Sequence, residues 1–302
     1  MLLKRPISAQ LEITYKCNHN CVYCYNYWRC EKNPSHGDSD NQIEDYLKQL
    51  TDAEVFNVTL TGGEPFLRKD LTYRLIKQAK KANTGIGLNT NLTLMNADDF
   101  KKLKDLGMKS LSTSFCSSDE QTFKEITNSP KAYHTFLRNL ESLFTEGIDA
   151  NVNMVVLQKN KDQVYETGKF LHETLGVQKF SATPVVPAEY HGKGIILTTE
   201  ELQDSIDQLV RLHDDYGMRV DILEALPKCV MKEEYKSKDL PFLKRSCSAG
   251  RTSMAISATG EVRPCTHASK IYGNLKEKSL EDIWSEMSAW RDDSIVPKGC
   301  KS

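Results

Sequence analysis

From about residue 8 to 225 the chain alternates short β-rich runs with stretches whose apolar residues recur at helical spacing, a pattern that predicts an α/β fold. Leu11 to Thr14 reads as the first strand and Phe56 to Thr61 as the second. After the second, Leu71, Leu75, Ile76 and Ala79 fall on one helical face. Ile86 and Leu88 mark a third strand. A helix opening near Asn96 turns Phe100, Leu103 and Leu106 inward and ends at Gly107. Lys109 to Ser114 reads as the fourth strand. The strongest stripe, Tyr133, Phe136, Leu137, Leu140, Leu143 and Phe144, ends at Gly147 and leads into a fifth strand from Val152 to Leu157. Val164, Leu171 and Leu175 mark one more helix before the strand Phe180 to Val185. Right-handed crossovers wind six such units into a parallel sheet or partial (β/α)6 barrel, with substrates at the strand C-termini.

Thr198 to Glu201 resembles a capping box that opens a helix through Leu209 and Leu212, before a strand near Val220 to Leu223. Glu224 to Arg245 is charged and contains Pro227 and Pro241, so a domain boundary is expected there: 1–225 forms the barrel and 226–302 a small α+β domain. In that second part Met254, Ile256 and Ala258 alternate before a Thr259-Gly260 turn and Val262, which predicts a β-hairpin. Ser279 to Trp284 predicts a short helix with Leu280, Ile283 and Trp284 inward.

Forty Lys plus Arg against 41 Asp plus Glu give the 302 residues a net charge of -1, so no global field favours nucleic acid or an anionic membrane. No apolar run is long enough to cross a bilayer and the N-terminus does not read as a signal peptide, which predicts a cytoplasmic protein. Nine cysteines, an odd number in a reducing compartment, favour metal or redox chemistry over a disulfide framework. Cys17, Cys21, Cys24 and Cys30 crowd the N-terminus, and Cys229, Cys247, Cys265 and Cys300 lie in the last quarter. Only Cys116 falls between.

At the end of the first strand stands Cys17-Asn-His-Asn-Cys21-Val-Tyr-Cys24. Three thiolates so close in sequence can wrap one inorganic cluster, and three ligands leave one iron open to a substrate. The competing reading is a structural zinc with His19 as fourth ligand, although such sites usually pair two CxxC units. After the second strand comes Thr61-Gly62-Gly63-Glu64-Pro65. Two glycines let backbone approach a ligand, and a carboxylate in a partly desolvated site can pair with an ammonium.

The CxxxCxxC with Tyr23 before its last cysteine resembles the signature of the radical S-adenosylmethionine (SAM) superfamily. That resemblance implies a [4Fe-4S] cluster on Cys17, Cys21 and Cys24, its fourth iron chelated by SAM. One electron from the cluster then cleaves SAM to a 5'-deoxyadenosyl radical that abstracts hydrogen from substrate. Gly62, Gly63, Glu64 and Pro65 resemble the family's GGEP motif, which binds the SAM amino group. Asn89 and Asn91 stand where the family has a polar pair near SAM, with Leu92 in place of a glycine. Ser112, Ser114 and Asn153, at later strands, are candidates to hydrogen-bond the ribose or carboxylate. Two departures stand out. Ser114-Phe115-Cys116-Ser117 replaces a Ser-x-Asp-Gly pattern, and Ile126-Thr127-Asn128 replaces Ile-Arg-Gly, so any arginine contact to the SAM carboxylate must come from elsewhere. Cys116 and Cys229 are candidate hydrogen-atom donors, with plain packing or exposure the alternative for each, as for Cys30.

Cys247, a spacer of 12, Gly260, a spacer of 4, Cys265, then Gly273-Asn274 and the Ser279-to-Trp284 helix resemble the SPASM and twitch extensions of radical SAM enzymes. That implies at least one auxiliary [4Fe-4S] cluster, held by Cys247, Cys265 and Cys300 with Cys229 as a possible fourth ligand. The chain stops two residues after Cys300, which implies either a shortened chain or a reduced form of the domain. The expected activity is that of a radical SAM oxidoreductase or maturase acting on a peptide by crosslinking, epimerisation or oxidation. A start about 16 residues before Cys17 is expected to leave no room for the added N-terminal peptide-recognition domain of some peptide maturases, which weakens the peptide reading. A dehydrogenase or epimerase of a small sugar or aminocyclitol is the alternative within enzymes, and an iron-sulfur carrier or zinc protein the alternative outside them. Flavodoxin or ferredoxin is the implied electron donor.

Overall fold

A computed structural model describes residues 3–26, 35–187 and 193–291. Seven parallel strands run β1 (Ser8–Glu12), β2 (Asn57–Thr61), β3 (Gly85–Leu88), β4 (Ser110–Ser114), β5 (Asp149–Val156), β6 (Lys179–Pro184) and β7 (Arg219–Asp221). A parallel bridge between Asn89 and Ser112 joins the β1-β2-β3 sheet to the β4-to-β7 sheet, so the strands follow chain order around a partial barrel. Helices α1 (Asp40–Asp52), α2 (Lys69–Lys81), α3 (Ala97–Asp105), α4 (Glu120–Thr127), α5 (Ala132–Thr145), α6 (Val164–Leu175) and α7 (Thr199–Tyr216) separate them. The expected capping box of α7 forms between Thr198 and Glu201, and Asn96 with Asp99 makes another on α3. Two of these seven helices exceed the predicted set. In α1 Ile43, Tyr46, Leu47 and Leu50 are buried, and in α4 only Phe123, Ile126 and Thr127.

The first strand lies three residues earlier than expected, because Ser8 to Leu11 pair on both sides, with β2 and with a strand from the far end of the chain. β5 also begins earlier than its apolar run, and its burial alternates. Val152, Met154 and Val156 join the core under the helices, whereas Asn153 faces the barrel interior together with Ser112 and Ser114 of β4. The polar positions of these strands therefore point inward, into the barrel, rather than to solvent.

The predicted hairpin forms from β8 (Ser253–Ile256) and β9 (Glu261–Arg263), and β10 (Gly273–Asn274) adds to β9. β8 pairs in parallel with β1, giving the order β10-β9-β8-β1-β2-β3. Residues 224–245 form three short 3-10 turns whose Tyr235, Leu240 and Phe242 enter the common core. Helix α8 (Leu280–Glu286) buries Leu280, Ile283 and Trp284 as its spacing required, and the Trp284 indole donates to the Leu3 carbonyl at 2.9 Å. Among the described residues no helix is long and apolar enough to cross a membrane.

Candidate active site

The chain leaving β1 crosses the C-terminal end of the barrel as an irregular loop through Cys17, Cys21 and Cys24. Its path is set by other elements. Val22 N–H donates to the Ile126 carbonyl at 2.8 Å, Asn20 N–H to the Thr127 carbonyl at 3.0 Å, and the Asn128 side chain to the Asn20 carbonyl at 2.8 Å. The Ile126-Thr127-Asn128 departure thus serves as the rail on which the cysteine loop lies. Asn128 ends α4 in the left-handed region, φ 49°.

The glycine loop after β2 braces the same segment. Gly63 N–H donates to the Thr14 carbonyl at 2.7 Å and Glu64 N–H to the Lys16 carbonyl at 2.8 Å. A Cβ on Gly63 would lie 1.9 Å from the Lys16 carbonyl oxygen, and one on Gly62, whose φ is 135°, 2.5 Å from that of Thr14. The missing side chains therefore admit the cysteine loop, a use of the two glycines that motif reading alone does not disclose.

Glu64 is 1% exposed. Its carboxylate accepts from Phe66 N–H at 3.0 Å, the Thr90 hydroxyl at 2.7 Å and Asn91 N–H at 2.8 Å. Burial pushes its pKa up against these three donors. The expected ammonium pairing is thus joined by a structural duty: the carboxylate ties the turn after β3 to the glycine loop, and Pro65 opens the 3-10 turn that it caps. In that turn Leu92 adopts φ 62°, the left-handed geometry a glycine would supply, with its side chain fully buried. The Asn139 amide secures it by donating to the Leu92 carbonyl at 2.7 Å and the Met95 carbonyl at 2.8 Å. Asn91 reaches back to the first loop, its amide donating to the Asn18 side chain at 2.8 Å.

These elements enclose one cavity of about 360 Å³. Cys17, Cys21, Cys24, Tyr23, Gly62, Gly63, Glu64, Asn89, Asn91, Ser112, Ser114 and Asn153 all line it, bringing together the sequence-predicted groups from five strand ends. Pro65 sits buried beside it. His19, the zinc alternative's fourth ligand, also lines the cavity, and its Nε2 lies 3.0 Å from the Thr93 hydroxyl. The Cys17 thiol is pushed up to about 12, chiefly by burial, then by the negative Glu64 and the neighbouring Cys21 and Cys24. Three sulfurs lining one cavity beside a buried carboxylate hold a surplus of negative charge once ionised, and a cationic iron cluster is a group that relieves it. The donor set fits the cofactor.

Cys116 and Cys229 do not join this arrangement. Cys116 is 2% exposed in the core, its thiol directed at the Phe123 carbonyl, and it is absent from the cavity lining. Cys229 is exposed on the 3-10 turn Lys228–Val230 and is likewise absent from the lining. Neither of these two expected hydrogen donors is among the described residues that line the cavity. Cys30 and Cys300 lie outside the described residues.

The hairpin sets its two flanks side by side. Gly250 N–H donates to the Pro264 carbonyl at 3.2 Å, drawing together the flanks that carry Cys247 and Cys265. Burial raises the Cys265 thiol, opposed by the amides of His267 and Ala268, and the nearby Cys247 raises it further. Thr266 and His267, just past Cys265, enter the cavity wall together with Tyr15, Tyr25 and Glu224. Sequence reasoning missed this second wall, because no local spacing ties residue 267 to residue 25, although their rings meet edge-on with centroids 4.4 Å apart.

Arg263 of β9 donates to Glu12 of β1 at 2.6 Å and to the carbonyl of the cavity-lining Thr266 at 3.2 Å, with Glu12 and Arg263 both fully buried. Burial raises the Glu12 pKa to about 7, against the pull of Arg263.

A family model described as the Radical SAM superfamily matches residues 11–171, more than half of the chain. The chain belongs to the radical SAM superfamily. A second model, SPASM, described as an iron-sulfur cluster-binding domain, matches residues 247–302. The family's cofactors are a [4Fe-4S] cluster with SAM and, for the SPASM part, auxiliary iron-sulfur clusters. The chain is similar to the AdoMet-dependent heme synthase of Methanosarcina barkeri, 22% identical over 296 residues covering 93% of this chain and 82% of that one. It is also similar to the PqqA peptide cyclase of Granulibacter bethesdensis, 24% identical over 314 residues covering 99% and 80%. Streptococcus suis SuiB bound to precursor peptide SuiA shares the fold with a TM-score of 0.76 at 17% identity, over 96% of this chain and 67% of that one. Native anSMEcpe with bound AdoMet also matches with a TM-score of 0.76, at 18% identity over 98% and 85%.

Proposed function

We propose that this radical SAM enzyme abstracts hydrogen from a peptide, as an oxidoreductase or maturase whose net outcome is a crosslink, an epimerised residue or an oxidised one. The observation that carries the reading is the meeting of the Cys17, Cys21 and Cys24 thiols with the Gly62-Gly63-Glu64 loop on one cavity. The peptide choice draws support from relatives named for peptide chemistry, a PqqA peptide cyclase and SuiB bound to precursor peptide SuiA.

In this reading Cys17, Cys21 and Cys24 hold the cluster, and the bound cluster with SAM supplies a carbon-centred radical that removes hydrogen from substrate. Gly62, Gly63 and Glu64 with Asn89 and Asn91 receive SAM. Ser112, Ser114 and Asn153 present hydroxyl and amide groups to it from the barrel interior. Tyr23, whose phenol is raised by burial and then by Cys21, stays neutral beside the thiolates and adds no charge to them. Cys247 and Cys265, with Cys300, would hold an auxiliary cluster. A flavodoxin or ferredoxin delivers the electron, and the enzyme works in the cytoplasm.

Anaerobically reconstituted protein, reduced with dithionite, should convert SAM to 5'-deoxyadenosine, and candidate peptides should accelerate it. Substitution of Cys17, Cys21 or Cys24 by Ala should abolish the product. A chain that binds zinc in place of iron, or a cluster whose spectrum does not respond to SAM, would sink the reading. Acceleration by aminocyclitols and by no peptide would transfer it to the small-molecule alternative.

A further inference from the structure

The residues that line the cavity fall into two chemically different groups. One is the three thiols with the Gly62-to-Glu64 loop. The other includes Asn153, Thr183, Glu224, Thr266 and His267, and in it Glu224 is the carboxylate. No Lys or Arg is among the described residues that line the cavity.

Glu224 follows β7 with its side chain 39% exposed. Its ion-pair partner among the described residues, His267, holds Nδ1 3.6 Å from the Glu224 Oε1, beyond hydrogen-bond range. The His267 ring instead packs edge-on against Tyr25. Glu64 is different: its oxygens already accept from three protein donors. Glu224 therefore offers an accepting carboxylate to whatever enters, and a primary ammonium brings both charge and up to three N–H donors to such a group. An anionic substrate group would meet two carboxylates and no described cationic side chain, a mismatch that selects against it.

We propose that Glu224 is a specificity-determining residue that receives a primary ammonium group of the substrate, either a lysine side chain of a peptide or an amine of an aminocyclitol. This rests on the reading of the cavity as the reaction chamber of a radical SAM enzyme.

The test titrates reconstituted, SAM-saturated protein with four probes by saturation-transfer NMR: N-acetyl-lysine amide, 2-deoxystreptamine, N-acetyl-norleucine amide and N-acetyl-glutamate amide. At least one ammonium probe should bind about tenfold or more tightly than the norleucine and glutamate probes, the scale of one charge-assisted hydrogen bond. Glu224→Gln should erase that preference and Glu224→Asp should retain most of it. Tighter binding of the lysine probe than of the aminocyclitol points to a peptide source for the ammonium, and the reverse to a small molecule. Equal binding of the norleucine probe, binding by neither ammonium probe, or an unchanged preference in Glu224→Gln overturns the proposal. A parallel loss of SAM affinity in Glu224→Gln also overturns it, by assigning the carboxylate to the cofactor. Iron content and SAM cleavage measured on the same samples keep the two failures apart. Wild-type protein without a cluster sinks the wider reading, whereas protein that cleaves SAM and ignores ammonium sinks only the role of Glu224.

Discussion

Leu92 illustrates how a departure from a familiar motif can leave the backbone unchanged. The turn after β3 needs a left-handed residue, and leucine accepts φ 62° while its side chain fills the core. Leu92→Ala loses the buried side chain and keeps the backbone strain, a cost of about 3 kcal/mol. Leu92→Gly loses slightly more apolar surface and relieves the strain, so urea denaturation should rank it about 1 kcal/mol more stable than Leu92→Ala. The reverse order would show that no strain is held there. Gly63 carries the opposite constraint, since any Cβ meets the Lys16 carbonyl at 1.9 Å. Gly63→Ala should push the cysteine loop away and lower the iron bound after reconstitution, whereas alanine at Gly147, where a Cβ meets nothing within 4 Å, should leave iron content unchanged. Both glycines are visible in the sequence. Which of them has backbone packed against it is not.

At the scale of elements, the helices were the most legible. Spacing placed α2, α3, α5, α6 and α7, because each buries one stripe on the barrel, and side-chain capping boxes close the starts of α3 and α7. Strand limits were less legible, since β1 takes its start from partners at residues 57 and 253. The Glu12–Arg263 pair belongs to this scale, as it joins β1 to β9 below the site. The Glu12 pKa is raised from 4.5 to about 7, so its contribution to stability is full below about pH 4.5 and is lost as pH rises through about 7. Relative to Glu12→Gln, wild-type protein should therefore lose stability between those values, by a few kcal/mol on the scale of about 1.4 kcal/mol per unit. Denaturant titrations of both proteins across that range check it. Parallel curves would show that the carboxyl titrates as in the unfolded chain.

For the molecule as a whole, the C-terminal hairpin is part of the barrel sheet. β8 covers the edge of β1, Tyr15 shares a 2.7 Å hydrogen bond with Thr259, and Lys276 reaches Asp38 at 3.0 Å. A chain ended after Arg245 exposes that edge and strands Glu12 without its buried guanidinium, a loss of about 3–5 kcal/mol from the pair alone. Such a chain should lack a cooperative thermal transition and should aggregate on gel filtration. A soluble fragment with a sharp transition would show that the barrel folds without the C-terminal hairpin.

The sequence by itself determined the donors and their local order: three thiols within one loop, two glycines before an acid, cysteines on either side of a hairpin, and helices with one apolar face. These follow from short-range geometry, where spacing along the chain is distance in space. Only the tertiary structure decided that the polar residues of β4 and β5 face inward, that Cys116 is core and not cavity lining, and that Glu224 and His267 line the same cavity as the cysteines. Those choices depend on which distant surfaces are buried together. Glu12 and Arg263 are 251 residues apart in the chain and in contact in the fold, and no periodicity along the chain encodes such a pair.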